Sequence, residues 1–380
     1  MNEHWIAAWG SAIAKTHRRT AEWVKDTTVR MELKMTVPGS ALKFHFSNLF
    51  GKEDAILTKA SVGIANGPKM DPHRWVPLTF GGQQRVTLAA GAGAVSDVCD
   101  LEFEAGECLC LNLYFGEFTQ LITGHSGGDA FHGRWVCNGD QTEATELPAT
   151  EYIEGDVFPF IHTVEALVPE NCYSIVTFGD SITAQTWPDR LKRRIEEELG
   201  RKDVAIVRKA IGGSRVLREY PCDLYRQYGP RGLDRFEREV CLPGVKKVFI
   251  LHGINDIIHP SNEGKPFRPL SDQPTAEELI EGLTFYINKA HEYGIAVFLA
   301  PILPFEGWRT YNEEKEAIRQ KVNYWIYREA PVEGVLPFEL ALLDPENPLA
   351  LHKEYDSGDH LHPSGDGAQA MADSIPEEFI

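Results

Sequence analysis

The sequence predicts two parts of different fold class: an all-β sandwich or jelly roll over residues 1–168, then an α/β domain over residues 169–380. Two observations predict this division. The first half consists of short strand-like runs separated by turn residues, whereas the second half alternates strand-like and helix-like runs. At 380 residues with 43% apolar content, the chain is also long and apolar enough to bury two cores.

Short strands account for the pattern of the first half. The runs at 29–35, 42–46, 85–88 and 109–114 are rich in strand formers and are bounded by Gly, Asn and Asp. A helical period is hard to find between them. Many short strands with frequent turn signals are typical of a sandwich or jelly roll.

Strands and helices alternate in the second half. Leu191, Ile195 and Leu199 recur at four-residue spacing and predict a helix over 188–199, after a strand at 174–178. The same reasoning predicts further strands at 204–207, 245–251 and 295–300, and helices at 275–293, 312–329 and 365–374. Such alternation indicates a parallel sheet covered by helices on both faces, with the chemistry at the carboxyl ends of its strands.

Composition and charge limit the classes of partner that the sequence predicts. Lys and Arg number 38 against 56 Asp and Glu, so the net charge of −18 disfavours nucleic acid and anionic membranes. No apolar run approaches the roughly 20 residues of a membrane span. Seven cysteines, an odd and sparse set, together with the lack of an evident signal peptide predict reduced thiols and a cytoplasmic location. The oligomeric state is left open.

Three polar motifs follow predicted strands directly. Gly179-Asp180-Ser181 places a serine in a tight turn between strand and helix, where backbone N–H groups can face an oxyanion. Gly212-Gly213 lets the backbone approach a ligand closely, and Asn255 in Gly253-Ile254-Asn255-Asp256 offers a neutral amide donor. Each motif taken alone is more often a helix cap or an ordinary loop than a catalytic element.

A fourth motif lies near the C-terminus, where Asp359 and His362 stand three residues apart. This spacing lets the carboxylate accept a hydrogen bond from imidazole Nδ1–H, which leaves Nε2 free to take a serine proton. A metal site built from Asp359, His360 and His362 is the alternative interpretation.

The four motifs in this order resemble those of the SGNH (GDSL-type) hydrolase superfamily, over residues 172–380, and of a subgroup with an N-terminal β-sandwich. The resemblance implies a flavodoxin-like α/β/α fold, Ser181 as nucleophile, His362 as general base and Asp359 as its orienting partner. It also implies an oxyanion hole of the Ser181 and Gly213 N–H groups and the Asn255 side chain. In the superfamily, an asparagine usually lies a few residues before the glycine of the second motif. This chain has Arg208-Lys209-Ala210 there instead.

The activity implied by the resemblance is hydrolysis of short acyl esters, with O-acetyl groups on carbohydrates as the preferred substrate. The expected partner is therefore a small-molecule or oligosaccharide ester, with no cofactor and no metal. Trp187, Trp308 and His259 are candidate substrate-binding residues, although aromatic side chains are more often part of a core. Two alternatives stay open: a glycan-binding module on an inactive hydrolase scaffold, and a metal-dependent phosphoesterase.

Overall fold

A computed structural model describes residues 2–16, 23–125, 133–148, 151–152, 158–261 and 267–380. The chain divides into two compact units, residues 1–174 with 200–207, and residues 175–199 with 208–380. The predicted boundary at residue 168 stays a prediction. Among the described residues, no helix is both long and apolar enough to cross a membrane.

Antiparallel strands make up the first part of the chain. They are β1 (Glu3–Gly10), β2 (Ala14–Lys15), β3 (Trp23–Val24), β4 (Thr27–Lys34), β5 (Gly39–Ser47), β6 (Ala55–Leu57), β7 (Lys59–Asn66), β8 (Lys69–Leu78), β9 (Val86–Leu88), β10 (Gly93–Val95), β11 (Cys99–Phe103), β12 (Cys108–Phe115), β13 (Thr119–Gln120), β14 (Thr123–His125), β15 (Arg134–Asn138), β16 (Glu151–Tyr152), β17 (Phe158–Pro159) and β18 (Ile161–Pro169).

Two main sheets organise these strands, and the predicted all-β class is confirmed. One has the order β16-β15-β4-β12-β7-β8, and the other has the order β1-β18-β5-β10 with β11 also on β5. Alternation along the strands builds the core, since Phe44 and Phe46 of β5 and Leu109, Leu111 and Leu113 of β12 are buried in one apolar cluster. Burial of these alternate residues fixes the register of each strand.

The second part contains the remaining strands and the helices. They are β19 (Tyr173–Gly179), α1 (Ser181–Ala184), α2 (Trp187–Arg193), β20 (Val204–Ala210), α3 (Gly232–Val240), β21 (Val245–Leu251), α4 (Ile254–Ile258), α5 (Ala276–Glu292), β22 (Ala296–Leu299), α6 (Glu313–Arg328), β23 (Gly334–Val335), α7 (Phe338–Leu342) and α8 (Gly365–Ser374). Short 3₁₀ turns lie at Asp223–Tyr228, Leu270–Asp272 and Glu377–Phe379, and a π-helical turn at Arg194–Glu198 extends α2.

A five-stranded sheet, β20-β19-β21-β22-β23, forms the centre of this second part. Strand β22 pairs in parallel with β21 and with β23. The helices fall into two packed groups, one of α2, α7 and α8 and the other of α3, α5 and α6. This is the predicted α/β/α class with a parallel sheet.

Local sequence explains most of these elements, with α3 as the main exception. Strand β21 and helix α8 coincide with the predicted 245–251 and 365–374. Helix α5 begins after Thr275, whose hydroxyl accepts from the N–H of Glu278 in a capping box. Helix α3 was not predicted because its buried face carries Arg235 and Glu239, an ion pair at 2.5 Å, among its apolar residues. Charged residues on that face break the apolar period that marks a helix.

Candidate active site

Ser181 lies at the carboxyl end of β19, as the first residue of α1. Asp180 caps this helix, because its carboxylate accepts from the N–H of Ile182 at 3.1 Å. Ser181 is therefore not the cap, and its hydroxyl points elsewhere: Oγ lies 2.8 Å from Nε2 of His362. Gly179 allows the tight turn, since a Cβ there would lie 2.2 Å from the carbonyl oxygen of Leu251 on β21.

His362 is oriented by Asp359. Nδ1 of the ring lies 2.6 Å from Oδ2 of Asp359, and Oδ1 accepts the backbone N–H groups of His362 and Leu361 at 2.8 and 3.0 Å. Partial burial raises the pKa of Asp359, but these hydrogen bonds and the nearby imidazole outweigh it and hold the pKa below its usual value. The ionised carboxylate thus keeps the proton on Nδ1 and directs Nε2 to the serine.

The glycine loop after β20 lies against the serine. A Cβ on Gly212 would lie 3.8 Å from Cβ of Ser181, and Gly213 has a left-handed φ of +77°. The next residue, Ser214, is held by two side chains. Its carbonyl oxygen accepts a hydrogen bond from Nδ2 of Asn255 at 3.1 Å and lies 3.2 Å from Nε2 of His252. The structure therefore brings the predicted Ser181, Gly213 and Asn255 to the same strand ends.

Asn255 donates to this loop through Nδ2, and an amide NH₂ group carries a second N–H donor. We expect Asn255→Ala to lower kcat about 10²- to 10³-fold, the usual result of losing one oxyanion donor. Steady-state hydrolysis of p-nitrophenyl acetate measures the effect. Asn255→Asp, which is similar in size but carries a charge opposing an oxyanion, serves as the matched comparison. An unchanged kcat in the alanine variant would remove Asn255 from the oxyanion hole.

Two buried carboxylates support the strand ends. Asp256 accepts the N–H groups of Val216 and Leu217 at 2.7 and 3.0 Å, which fixes the chain beyond the glycine loop. Burial raises the pKa of Asp256 to about 6 and that of Asp180 to about 7. The folded protein therefore binds protons at these two carboxyls over a range in which an unfolded chain has released them.

Asp180 makes stability depend on pH. Its pKa is about 7 in the folded protein and ~3.9 in an unfolded chain, so stability falls as pH rises between these values. Asp180→Asn removes this loss while keeping an oxygen that can cap α1. We expect the Tm advantage of the variant over the wild type to grow by about 5–10 °C between pH 5 and pH 8, because about two pKa units correspond to about 2.7 kcal/mol and a domain of this size shifts by roughly 2–4 °C per kcal/mol. Thermal unfolding measures it, with exposed Asp373→Asn as the control, and an advantage that shrinks with pH would contradict the assignment.

The three candidate substrate-binding residues differ in burial. Trp187 is only 1% exposed and packs against Phe338, so it has no free face for a sugar and that prediction is wrong. His259 is also buried, with its ring stacked on Tyr228 and a ring nitrogen bonded to the hydroxyl of Tyr220, so it is a packing residue as well. Trp308 is half-buried and meets the ring of His362 edge-on at 6.5 Å between centroids.

Tyrosines around the glycine loop were missed by the sequence reasoning. The ring of Tyr228 covers Gly213, where a Cβ would lie 2.3 Å from the ring. Tyr225 stacks on Tyr228 at 5.4 Å between centroids, and Tyr220 contacts both. The available signal was three tyrosines within nine residues, immediately after the glycine motif.

Arg208 lies in the segment 208–210, where the SGNH pattern usually has an asparagine. Its Nη1 donates to the carbonyl of Gln185 at 3.0 Å, and to Oδ2 of Asp189 at 3.0 Å. It also reaches the carbonyl of Ala184 at 3.4 Å. Both Arg208 and Asp189 are buried, so this ion pair connects β20 to α2, and the two carbonyl contacts reach the C-terminal end of α1. In place of the usual asparagine, this segment therefore has a buried arginine that pairs with Asp189.

The alternative interpretation is a metal site. Among the residues that the structure describes, no three His, Cys, Asp or Glu side chains are placed to hold a metal ion. The ring nitrogens of His362 contact Ser181 and Asp359. Nδ1 of His360 contacts a different carboxylate, Asp356, at 2.8 Å. Asp359 and His362 therefore pair with each other, whereas His360 pairs with a carboxylate outside the proposed metal set.

The fold and these strand-end motifs define the class of SGNH hydrolases. The chain belongs to the GDSL-like lipase/acylhydrolase family, whose model matches residues 177–370. This membership makes the protein an ester hydrolase at the level of the family and leaves its substrate open.

Solved structures similar to this chain include a putative acylhydrolase from Bacteroides fragilis, at 19% identity, covering 56% of this chain and 88% of that one with a TM-score of 0.39. An acetylxylan esterase from Geobacillus stearothermophilus is 18% identical, with coverages of 54% and 94% and a TM-score of 0.40. A GDSL-like lipase from Bacteroides thetaiotaomicron is 19% identical, with coverages of 54% and 87% and a TM-score of 0.37. No curated protein matches the chain.

Proposed function

We propose that the protein is a serine esterase that works through an acyl-enzyme on Ser181. The observation that carries the proposal is the hydrogen-bonded series from serine to carboxylate: 2.8 Å from Ser181 Oγ to His362 Nε2, and 2.6 Å from His362 Nδ1 to Asp359 Oδ2. A hydroxyl, an imidazole and a carboxylate in this order are the arrangement that activates a serine at neutral pH.

Each step of the reaction has a group in this arrangement. Ser181 Oγ attacks the ester carbonyl while its proton passes to Nε2 of His362, and the new oxyanion accepts the N–H groups of Ser181 and Gly213 and the amide of Asn255. The carbonyl re-forms as the alcohol leaves with the proton from Nε2. Water then attacks the acyl-enzyme and gives a proton to the same nitrogen, which passes it to Ser181 Oγ as the acid is released.

The proposed substrates are short acyl esters, above all O-acetyl groups, on carbohydrates. A small acyl group is supported by the ring of Tyr228, which covers Gly213 and limits the space beside the proposed oxyanion hole. A carbohydrate alcohol is supported by Trp308, a half-buried indole at the ring edge of His362, because aromatic faces of this kind pack against sugar rings.

A substrate panel tests both parts of this proposal. Wild type and Ser181→Ala are compared on p-nitrophenyl acetate, butyrate and octanoate, and on partially acetylated xylo-oligosaccharides by acetate release. We expect kcat/KM to fall with acyl length and acetate release to depend on Ser181. A preference for octanoate would contradict the short-acyl proposal, and acetate release that survives in the alanine variant would contradict the serine mechanism.

Two further proposals concern organisation. We assign the chemistry to residues 169–380 and treat residues 1–168 as a separate β-domain, which is supported by the position of every proposed catalytic residue after residue 174. A cytoplasmic location is supported by the seven cysteines, all free and four of them buried. Limited proteolysis that releases a stable C-terminal fragment would support the boundary.

A further inference from the structure

A second imidazole–carboxylate pair lies next to the first. Nδ1 of His360 is 2.8 Å from Oδ2 of Asp356, whose side chain is only 8% exposed, whereas the imidazole is 55% exposed. Oδ1 of Asp356 accepts the backbone N–H groups of Gly358 and His360 at 2.8 and 3.0 Å. The buried carboxylate is thus fixed by the loop and holds a half-exposed ring toward solvent.

The backbone is shaped around this ring at two positions. His360 has a left-handed φ of +64°, a conformation that is uncommon for residues other than glycine, although Asn, Asp and His adopt it more often than the rest. The ring lies against Gly307, which has a φ of +96° and where a Cβ would lie 2.7 Å from Cγ of His360. A strained residue that its neighbours accommodate in this way is typical of functional sites rather than of ordinary loops.

His360 lies in the same loop as the proposed general base, two residues before His362. Nε2 of His362 delivers the proton to the departing alcohol, so groups around His362 also surround that alcohol. Gly307, which contacts His360, precedes Trp308, which contacts the ring of His362. The ring of His360 therefore packs against the residue that precedes Trp308, and the ring of Trp308 meets the proposed general base.

We propose that His360, held by Asp356, forms a polar subsite for the alcohol part of the substrate and accepts a hydrogen bond from a free hydroxyl of a carbohydrate. With Nδ1–H donated to Asp356, Nε2 is left as an acceptor. A polyhydroxylated alcohol offers hydroxyl donors next to the ester, whereas a simple aryl or alkyl alcohol offers none. This inference rests on the proposed esterase function and extends it to a residue outside the triad.

The experiment distinguishes the effect of losing the His360 imidazole from the effect of changing the loop backbone. His360→Gly removes the ring and keeps the left-handed backbone without strain, and His360→Asn keeps that backbone with a shorter side chain. The control is His291→Ala, which removes another half-exposed histidine paired with a carboxylate, 3.2 Å from Glu333. It lies at the carboxyl end of α5, far along the chain from the strand ends that carry the site.

The readout is the ratio of kcat/KM for partially acetylated xylo-oligosaccharides to kcat/KM for p-nitrophenyl acetate. We expect both His360 variants to lower this ratio about tenfold, the value of one lost hydrogen bond, mainly through KM for the oligosaccharides. His291→Ala keeps the ratio of the wild type. The Tm of the glycine variant stays at or above that of the wild type because the strained φ is relieved.

An unchanged ratio, or an equal fall on both substrates, would overturn the subsite. If hydrolysis of p-nitrophenyl acetate still depends on Ser181 in that case, only this inference fails. If the wild type shows no Ser181-dependent hydrolysis of either substrate, the proposed function fails and the subsite fails with it.

Discussion

Ser181→Ala is expected to lower kcat on p-nitrophenyl acetate by about 10⁶, the loss seen when a serine hydrolase loses its nucleophile. The reason is chemical: Oγ of Ser181 lies 2.8 Å from Nε2 of His362, and alanine leaves no atom there to attack the ester or carry the acyl group. The measurement is the steady-state rate on protein purified free of host esterases.

Ser374→Ala is the matched control for this variant. Its hydroxyl caps the last turn of α8 by donating to the carbonyl of Met371, so it tests serine loss without touching the site. We expect wild-type kcat in the control. A Ser181→Ala variant that retains more than a tenth of the activity, with the control unchanged, would refute the nucleophile assignment.

Asp359→Asn is expected to lower kcat by about 10⁴, as in triads where the orienting carboxylate becomes an amide. The amide oxygen can still accept the backbone N–H groups that Asp359 accepts now, so the loop survives. The side-chain NH₂, however, then faces Nδ1 of His362 and favours the tautomer that places the proton on Nε2, where the serine proton must go. The rate on p-nitrophenyl acetate measures the effect.

The control for the Asp359 variant is Asp373→Asn, an exposed carboxylate that accepts only from Gln369 on α8 in the described contacts. We expect it to keep the wild-type rate. Asp359 is itself 41% exposed, so water is the competing partner for Nδ1. A loss of less than tenfold would mean that water orients the imidazole as well as the carboxylate does.

The fold could be predicted where local pattern and burial agree. Strand β21 ends in the apolar run 248–251, which lies between turn signals, and it coincides with the predicted 245–251. The helix predicted over 188–199 corresponds to α2 followed by a π-helical turn. The spacing of apolar residues does not reveal this change in the hydrogen-bonding pattern. Helix α3 escaped prediction because a buried Arg235–Glu239 pair looks like surface charge in a sequence.

The candidate site shows a similar contrast. Ser181, Gly213 and Asn255 follow strands directly, and the carboxyl ends of parallel strands meet at one edge, so sequence order alone predicts that they lie together. Trp187 and His259 were misjudged because the sequence does not show which aromatic ring is covered by neighbours, here Phe338 and Tyr228. Such packing depends on contacts between segments far apart in the chain.

The most direct test of the account is covalent labelling with diethyl p-nitrophenyl phosphate, which transfers its phosphoryl group to an activated serine and releases p-nitrophenol. Peptide mass spectrometry locates the label while residual hydrolysis of p-nitrophenyl acetate is followed in the same samples. We expect one equivalent of p-nitrophenol per chain, the label on Ser181, and loss of hydrolysis in proportion to labelling. Full hydrolysis with Ser181 completely labelled, or full inhibition with Ser181 unlabelled, would contradict it.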